Sequence, residues 1–592
     1  MVSTLQWILL GIGAYWVGIL WLQREGRLPE YLSTQGPIIL VHTKRFRQLV
    51  DRIASPKRVW RAWGNFGIGI FLVVMAGSFV FLLFAASVTL RNPGQATAVN
   101  QPRNVLVIPG VNEFLPLSVA PEIVLGLLVG LIVHEGGHGI MSRVGNIDIE
   151  SMGVALFTII PVAAFVEPDE ESRKKAPRGD QSRMFAAGVT NNFAVTIVAY
   201  VLLFGPVIGA IGVAPGAAVG GALPGSAADQ AGIGHGDRIV AVEGRSIADN
   251  DALSETLAAI PNRQVSVTVD DGAGTQTVTV ERSLLVTGVT LDTPFAAAID
   301  RGMRITAVNG SDVHTEQAFV SAVRNTTVAE FTVEGGETVT GPVGAAVQIA
   351  PDGPAAAAGL PGGANAVVTA IEGQRVISSA GLSRVMEATE PGQTVEIELY
   401  IDGNRRVESV DLGAHPSQAI EHGFIGVGVA PGFSGLTTSD FGTRLYPAAG
   451  YLALLGGGEG GGGSFFGRIA STLLLPFAAV AGGLPFNWAG FTGGIGNFYT
   501  ITGPLAALGG VAFTLVNALF WTAWINLNLG IFNCIPAFPL DGGHILRMGT
   551  EAIVSRLPIR DRRRATTAVT TSVGLIMLVT LLLTLFGPQL LA

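Results

Sequence analysis

The sequence predicts a polytopic α-helical membrane protein of about six spans plus a re-entrant hairpin, interrupted by an inserted β-rich α+β region outside the cytoplasm. Three observations predict it. Asp, Glu, Lys and Arg are missing from five long stretches, a sixth apolar stretch holds one acid, and residues 216–415 have a different composition from the rest. Of 592 residues, 49% are apolar and only 14% charged, against about 25% charged in soluble domains. The net charge of −8 argues against nucleic acid as a partner. The single cysteine, Cys534, excludes a disulfide framework and any multi-cysteine metal cluster.

The charge-free stretches are 1–23, 66–90, 184–228, 469–540 and 565–592, and 123–142 contains only Glu135. Each is long enough for the ~20 apolar residues of a span. Residues 1–23 lack a basic start and a clear cleavage site, so they read as a retained span rather than a signal peptide. The run 151–166 is interrupted by Pro161 and too short to cross, so a re-entrant hairpin is expected there. Stretch 469–540 has room for two spans, or for one re-entrant or interfacial element followed by a span near 505–533. Nine Lys and Arg residues between Arg24 and Arg61, and six Arg between Arg547 and Arg564, place both loops in the cytoplasm. Parity over six spans then leaves residues 92–120 and the insert outside.

The expected order is a two-span region with a basic loop (1–92), a first membrane segment (121–213), three repeats (214–283, 284–345, 346–415), a Gly-rich tether (416–466), a second membrane segment (467–548), and a basic loop with the last span (549–592). The repeats show as DRIVAVEGRSI at 237–247, MRITAVNGSDV at 303–313 and AVVTAIEGQRV at 366–376, each alternating apolar and polar residues before a Gly turn. Small-residue segments precede the first and third copies, and the middle copy is expected to be degenerate. These features resemble PDZ domains of the kind found in bacterial-type and archaeal proteases; a generic β-rich ectodomain is the alternative. Between residues 216 and 415 stand 25 acids against 11 arginines and no lysine, a hydrated acidic surface suited to concentrated salt and hence to a salt-loving prokaryote.

The chemistry concentrates in His134-Glu135-Gly136-Gly137-His138. Random placement of the chain's His and Glu residues would give about 0.005 such HExxH matches, so chance is a poor account. On a helix the two histidines share a face and can bind Zn²⁺, with the glutamate beside them as general base. Ionisable groups within a span are costly and functional by default. Two histidines leave a catalytic zinc one protein ligand short. Asp541 is the candidate, following Pro536 and Pro539, which free backbone groups that must be buried in protein or line a wet cavity. The alternative is that Asp541-Gly542-Gly543 simply turns the chain at the membrane surface.

An HExxH in one span, an LDG more than 300 residues later and PDZ-like repeats between them resemble the site-2 protease family of intramembrane metalloproteases. Asn533 through Gly542 is similar to the family's NxxPxPxxDG signature, and AAGVTNNF at 186–193 to its AGPxxNF segment, with Val189 where Pro is usual. The resemblance covers roughly 121–200, 500–548 and the insert. It implies one catalytic zinc on His134, His138 and Asp541. It further implies Glu135 as the base on the attacking water, and Asn533 and Asn192 as donors to the substrate backbone or oxyanion. Expected partners are the lipid bilayer, single-span membrane protein substrates, and a peptide or carboxy-terminus at the repeats; the repeats would also filter substrates by ectodomain size. His544 is either a supporting group near the metal or a surface histidine. Competing readings are a catalytically inactive membrane PDZ scaffold of the same family, and a transporter or metal permease.

Overall fold

The computed structural model describes residues 4–590 except 30, 36–37, 92–107, 113–114, 158–159, 292, 417–420, 459–463 and 481–483. The glycine run of the expected tether and most of the loop after the second span therefore lie outside the described residues. The chain divides into a helical unit (Met1–Gly212, Ala449–Gly493, Ile501–Ala592) and a β-rich unit (Val213–Ala448, Gly494–Thr500).

The helical unit is built on α1 (Thr4–Arg24), α2 (Lys44–Ile53), α3 (Lys57–Arg91), α4 (Ala120–Val144), α5 (Arg178–Leu202), α6 (Phe465–Leu474), α7 (Val511–Asn533), α8 (Asp541–Val554) and α9 (Arg562–Leu590). Among the described residues, five helical stretches are long and apolar enough to cross a membrane: those containing α3, α4, α5, α7 and α9. Helix α1, of 21 residues, also has the length for a crossing. Helix α4 carries Glu122 in its first turn and Arg143 in its last, charges that complement the helix dipole. Small residues let it approach its neighbour: an added Cβ at Gly126 would lie 2.9 Å from the Trp521 carbonyl oxygen, and at Gly130 2.7 Å from Leu529. Close backbone approach of this kind holds helices together where lipid removes the hydrophobic drive.

Within 469–540 only α7 is long and apolar enough to cross a membrane among the described residues; helix α6 before it is only 10 residues long, and part of the described backbone between them is irregular. That backbone is held by protein rather than left to lipid: Asn517 Oδ1 accepts from the Phe491 amide at 2.8 Å, and Trp521 Nε1 donates to the Ala489 carbonyl at 2.9 Å.

The hairpin expected at 151–166 is present as β3 (Ile149–Phe157) and β4 (Ile160–Pro168). It belongs to a larger sheet than expected. β1 (Leu32–Gln35) and β2 (Ile38–His42), from the basic loop, extend it in the order β1-β2-β3-β4. Gly153 permits the join, since a Cβ there would lie 1.9 Å from the Val41 carbonyl oxygen. The basic helix α2 is tied to α4 by Asp51, which accepts from Arg143 Nε at 2.5 Å. That hydrogen bond holds the Asp51 carboxyl below the usual carboxylate range.

In the β-rich unit three six-stranded sheets share one strand order. Each has a hairpin whose two turn residues both take positive φ: Glu243-Gly244, Asn309-Gly310 and Glu372-Gly373, the geometry that lets a two-residue turn match strand twist. Each central strand carries an irregularity at the equivalent place, after Ile239, Ile305 and Val368, and each sheet buries its own apolar core. The middle copy, expected to be degenerate, therefore has the same sheet as the other two.

The segment 416–466 is not simply a tether. Val427–Val429 pairs with the third sheet, Leu436–Ser439 with the second and Thr443–Leu445 with the first. The chain thus returns past the three sheets in reverse order, adding one edge strand to each. Short glycine-punctuated strands carry too weak a period to be read from sequence; their pairing partners lie as much as 226 residues upstream (Leu445 opposite Val219). A buried ion pair, Arg282 to Asp440 at 2.5 Å, fastens the return segment.

Candidate metal centre

His134 and His138, one turn apart on α4, turn the same face inward. Their Nε2 atoms are 3.2 Å apart. Asp541, the first residue of α8, brings Oδ2 to 3.2 Å from His134 Nε2 and 3.4 Å from His138 Nε2. All three side chains are buried. With zinc bonds of ~2.0–2.1 Å, neighbouring corners of a tetrahedral site lie about 3.3 Å apart, so the three atoms already stand at three corners. Asp541 Oδ2 is buried and without a hydrogen bond, a costly condition for a carboxylate that a divalent cation relieves. Two imidazole nitrogens and one carboxylate oxygen fit Zn²⁺, with the fourth corner left for reactants.

The same helix, α5, orients both imidazoles. The Met184 carbonyl lies 2.8 Å from His138 Nδ1; a carbonyl only accepts, so the proton sits on Nδ1 and Nε2 turns its lone pair to the cluster. Asn192, fully buried, faces His134 Nδ1 at 3.4 Å with its amide nitrogen, while its Oδ1 is without a partner. Rotating the amide by half a turn places its oxygen on Nδ1 as an acceptor, and the two amide ends differ only by hydrogen-bond logic. His134 then also presents a bare Nε2. This location suits support of a ligand rather than contact with substrate. Asn192→Ala should lower zinc affinity about 10–100-fold, read by chelator competition, with Asn192→Asp closer to wild type because it keeps an acceptor. Equal affinity in wild type and the alanine variant would remove Asn192 from the support of His134.

Glycines make room for this packing. A Cβ at Gly188 of α5 would lie 2.8 Å from His138 Nε2 and 2.9 Å from His134 Cε1. One at Gly137 would lie 2.8 Å from the Ala187 backbone, so the second residue between the motif's glutamate and histidine has to be small for α4 and α5 to meet. Gly542 and Gly543 do the same for Asp541. Their Cβ atoms would strike the Ile535 carbonyl oxygen at 2.2 Å and Ala537 at 2.8 Å, so the proline-broken backbone folds onto the first turn of α8. The DGG segment thus delivers Asp541 to the histidines, and the alternative of a mere surface turn falls.

Glu135 is half-buried and does not join the three ligand atoms. Its Oε2 accepts from the Val166 amide at 2.9 Å. In the register of β3 and β4, Val166 stands opposite Met152, and its N–H points off the open edge of β4 toward α4. Asn533, at the end of α7, gives its Nδ2 to the Leu529 carbonyl of its own helix at 3.0 Å. His544 stacks on Phe185 with ring centroids 4.3 Å apart. Sequence reading missed Gly188, Gly137, the Met184 carbonyl and the Val166 amide. The paired glycines of HEGGH were the visible signal; backbone groups leave none.

The chain matches the model of peptidase family M50 over residues 122–581. It is 26% identical over 175 residues to an uncharacterized protein of Methanocaldococcus jannaschii, covering 29% of this chain and 45% of that one. It is 30% identical over 176 residues to the regulator of sigma-E protease RseP of Salmonella typhimurium, covering 25% and 38%. A shorter stretch of 37 residues is 51% identical to the zinc metalloprotease RasP of Oceanobacillus iheyensis, 6% of this chain and 9% of the relative. The chain spans less than half the length of each of these curated relatives. With a buried His134–His138–Asp541 cluster whose histidines stand on an apolar helix, and a family match across most of its length, the chain belongs to peptidase family M50, the site-2 protease family.

Proposed function

We propose that the protein is an intramembrane zinc endopeptidase that cleaves the transmembrane segments of single-span membrane proteins. The observation that carries this reading is the convergence of His134, His138 and Asp541 to tetrahedral spacing, with Glu135 beside them at the wall of an apolar cavity. Zinc held there would polarise the scissile carbonyl and make water nucleophilic at neutral pH. Glu135 takes the proton from the attacking water and passes it to the leaving amine. The Val166 amide holds the Glu135 carboxylate in place while that proton moves. A helical span buries its carbonyls in its own hydrogen bonds, so the substrate must unwind first, and the open edge of β4 can hold it as an added strand. Asn533 remains the candidate donor to the substrate backbone, which requires it to leave the Leu529 carbonyl.

In this reading six spans are traversed, the loops around 24–62 and 543–564 are cytoplasmic, and the three repeats are extracytoplasmic PDZ-like domains that select substrates or bind a peptide end. The acidic, lysine-free insert supports a salt-loving prokaryotic host. The intact ligand set speaks against an inactive scaffold.

The test is direct. Purified protein in bilayers, given a single-span substrate, should yield two fragments cut within the span, and a zinc chelator should stop the reaction until zinc is restored. Cleavage unaffected by complete zinc removal would overturn the proposal.

A further inference from the structure

A cavity of about 470 Å³ lies beside Glu135, walled by α2, α4, α5 and the β3–β4 hairpin. Its lining is apolar except for Glu135 and Asn191. Both ends of the Asn191 amide are engaged, Oδ1 by Trp63 Nε1 at 3.0 Å and Nδ2 by the Val133 carbonyl at 3.1 Å. Among the lining side chains, one polar group is therefore left for an occupant, the carboxylate that acts on water. Such a space suits an apolar group, because neither a charge nor an unpaired polar side chain would recover its lost hydration there.

The floor of the cavity includes Gly136. Unlike Gly137, which is small because α5 packs against it, Gly136 has nothing within 4 Å of where a Cβ would stand. It lies within the regular helix α4, where glycine costs about 1 kcal/mol relative to alanine. Neither packing nor backbone conformation calls for it; what its small size leaves is depth in the cavity. The open edge of β4 runs along the same space, since the Val166 amide reaches Glu135 and Ala164, Phe165 and Val166 line the wall. A peptide paired to that edge projects alternate side chains to opposite sides, so one of them enters the cavity beside the reacting carbonyl.

We propose that this cavity is the pocket for one substrate side chain adjacent to the scissile bond, that Gly136 sets its depth, and that the preferred residue is large and apolar, such as leucine or phenylalanine. The proposal rests on the endopeptidase reading and adds the residue class at the cut.

Full-length wild type, Gly136→Ala and Gly136→Leu would be given single-span substrates that differ at one position next to the mapped cut: Ala, Leu, Phe or Asp. Wild type should favour Leu and Phe over Ala by at least about tenfold in kcat/KM, the usual worth of a missing methylene or more in an apolar pocket, and should reject Asp. Gly136→Leu should invert the Phe-to-Ala ratio, with Gly136→Ala intermediate, while zinc content stays stoichiometric. A ratio unchanged in Gly136→Leu, or a wild type indifferent to the residue, sinks the pocket and leaves the endopeptidase standing. Zinc-loaded Gly136→Leu that cleaves no substrate also sinks it, because the cavity would then hold substrate backbone or a lipid chain. A zinc-loaded wild type that cleaves nothing overturns the endopeptidase reading, and the pocket with it.

Discussion

Replacing Gly188 by alanine is expected to strip the protein of zinc and of activity together. The new methyl would stand 2.8 Å from His138 Nε2 and 2.9 Å from carbon atoms of both imidazoles, closer than side-chain carbons come in real structures. The rings cannot back away. His138 is fixed by the Met184 carbonyl, and His134 is bracketed by Asn192. Overpacking a tight site costs about 1–3 kcal/mol, here charged directly against two ligands. Disturbing groups that merely support a ligand costs 10–100-fold in metal affinity, so at least the upper end, about 100-fold, is expected. Dialysis against a graded chelator followed by metal analysis measures it. Gly77 on α3 supplies the control: nothing lies within 4 Å of its Cβ position, and Gly77→Ala should retain zinc like wild type. Wild-type zinc affinity in Gly188→Ala would show that the two histidines do not hold the ion in this packing.

Glu135→Gln and Asp541→Asn should separate chemistry from binding. Glutamine preserves the shape of Glu135 and can still accept from the Val166 amide, so the fold and the ligand cluster have no reason to change. What it loses is the capacity to take a proton, and a positioned general base contributes about 10²–10⁴ in rate. Zinc content at wild-type level with cleavage down by that factor is the expected pair of results. Asp541→Asn keeps the volume but removes the one anionic ligand, whose Oδ2 faces both histidine nitrogens. Zinc should then be lost at chelator concentrations that leave wild type and Glu135→Gln loaded. Near-normal turnover by Glu135→Gln would remove Glu135 as the base, and unchanged zinc affinity in Asp541→Asn would require another third ligand.

The sequence by itself made the long apolar helices legible and nominated His134, His138 and Asp541, which the fold brings together. Spans are legible because a bilayer rejects charge over about 20 residues at a time, and that constraint acts on each segment alone. HExxH is legible because helical geometry fixes what residues four apart can do. The repeats around Gly244, Gly310 and Gly373 are legible because each hairpin needs positive φ at its turn. Asp541 could be nominated, since acids are scarce in the apolar segments, but its arrival at the histidines depends on α8 folding back over Ile535–Ala537. Tertiary structure alone decided where the small residues had to be and which backbone groups serve the site. Gly188, Gly137 and Gly136 look alike in the sequence, yet one clears two imidazoles, one admits a neighbouring helix and one faces an open cavity. The edge strands at 427–445 likewise have too little pattern of their own and exist as strands through partners far upstream. Local chemistry constrains a residue through its own chain neighbours and is therefore written in the sequence; steric clearance and backbone hydrogen bonds depend on whichever segment packs opposite, and only the folded chain supplies that.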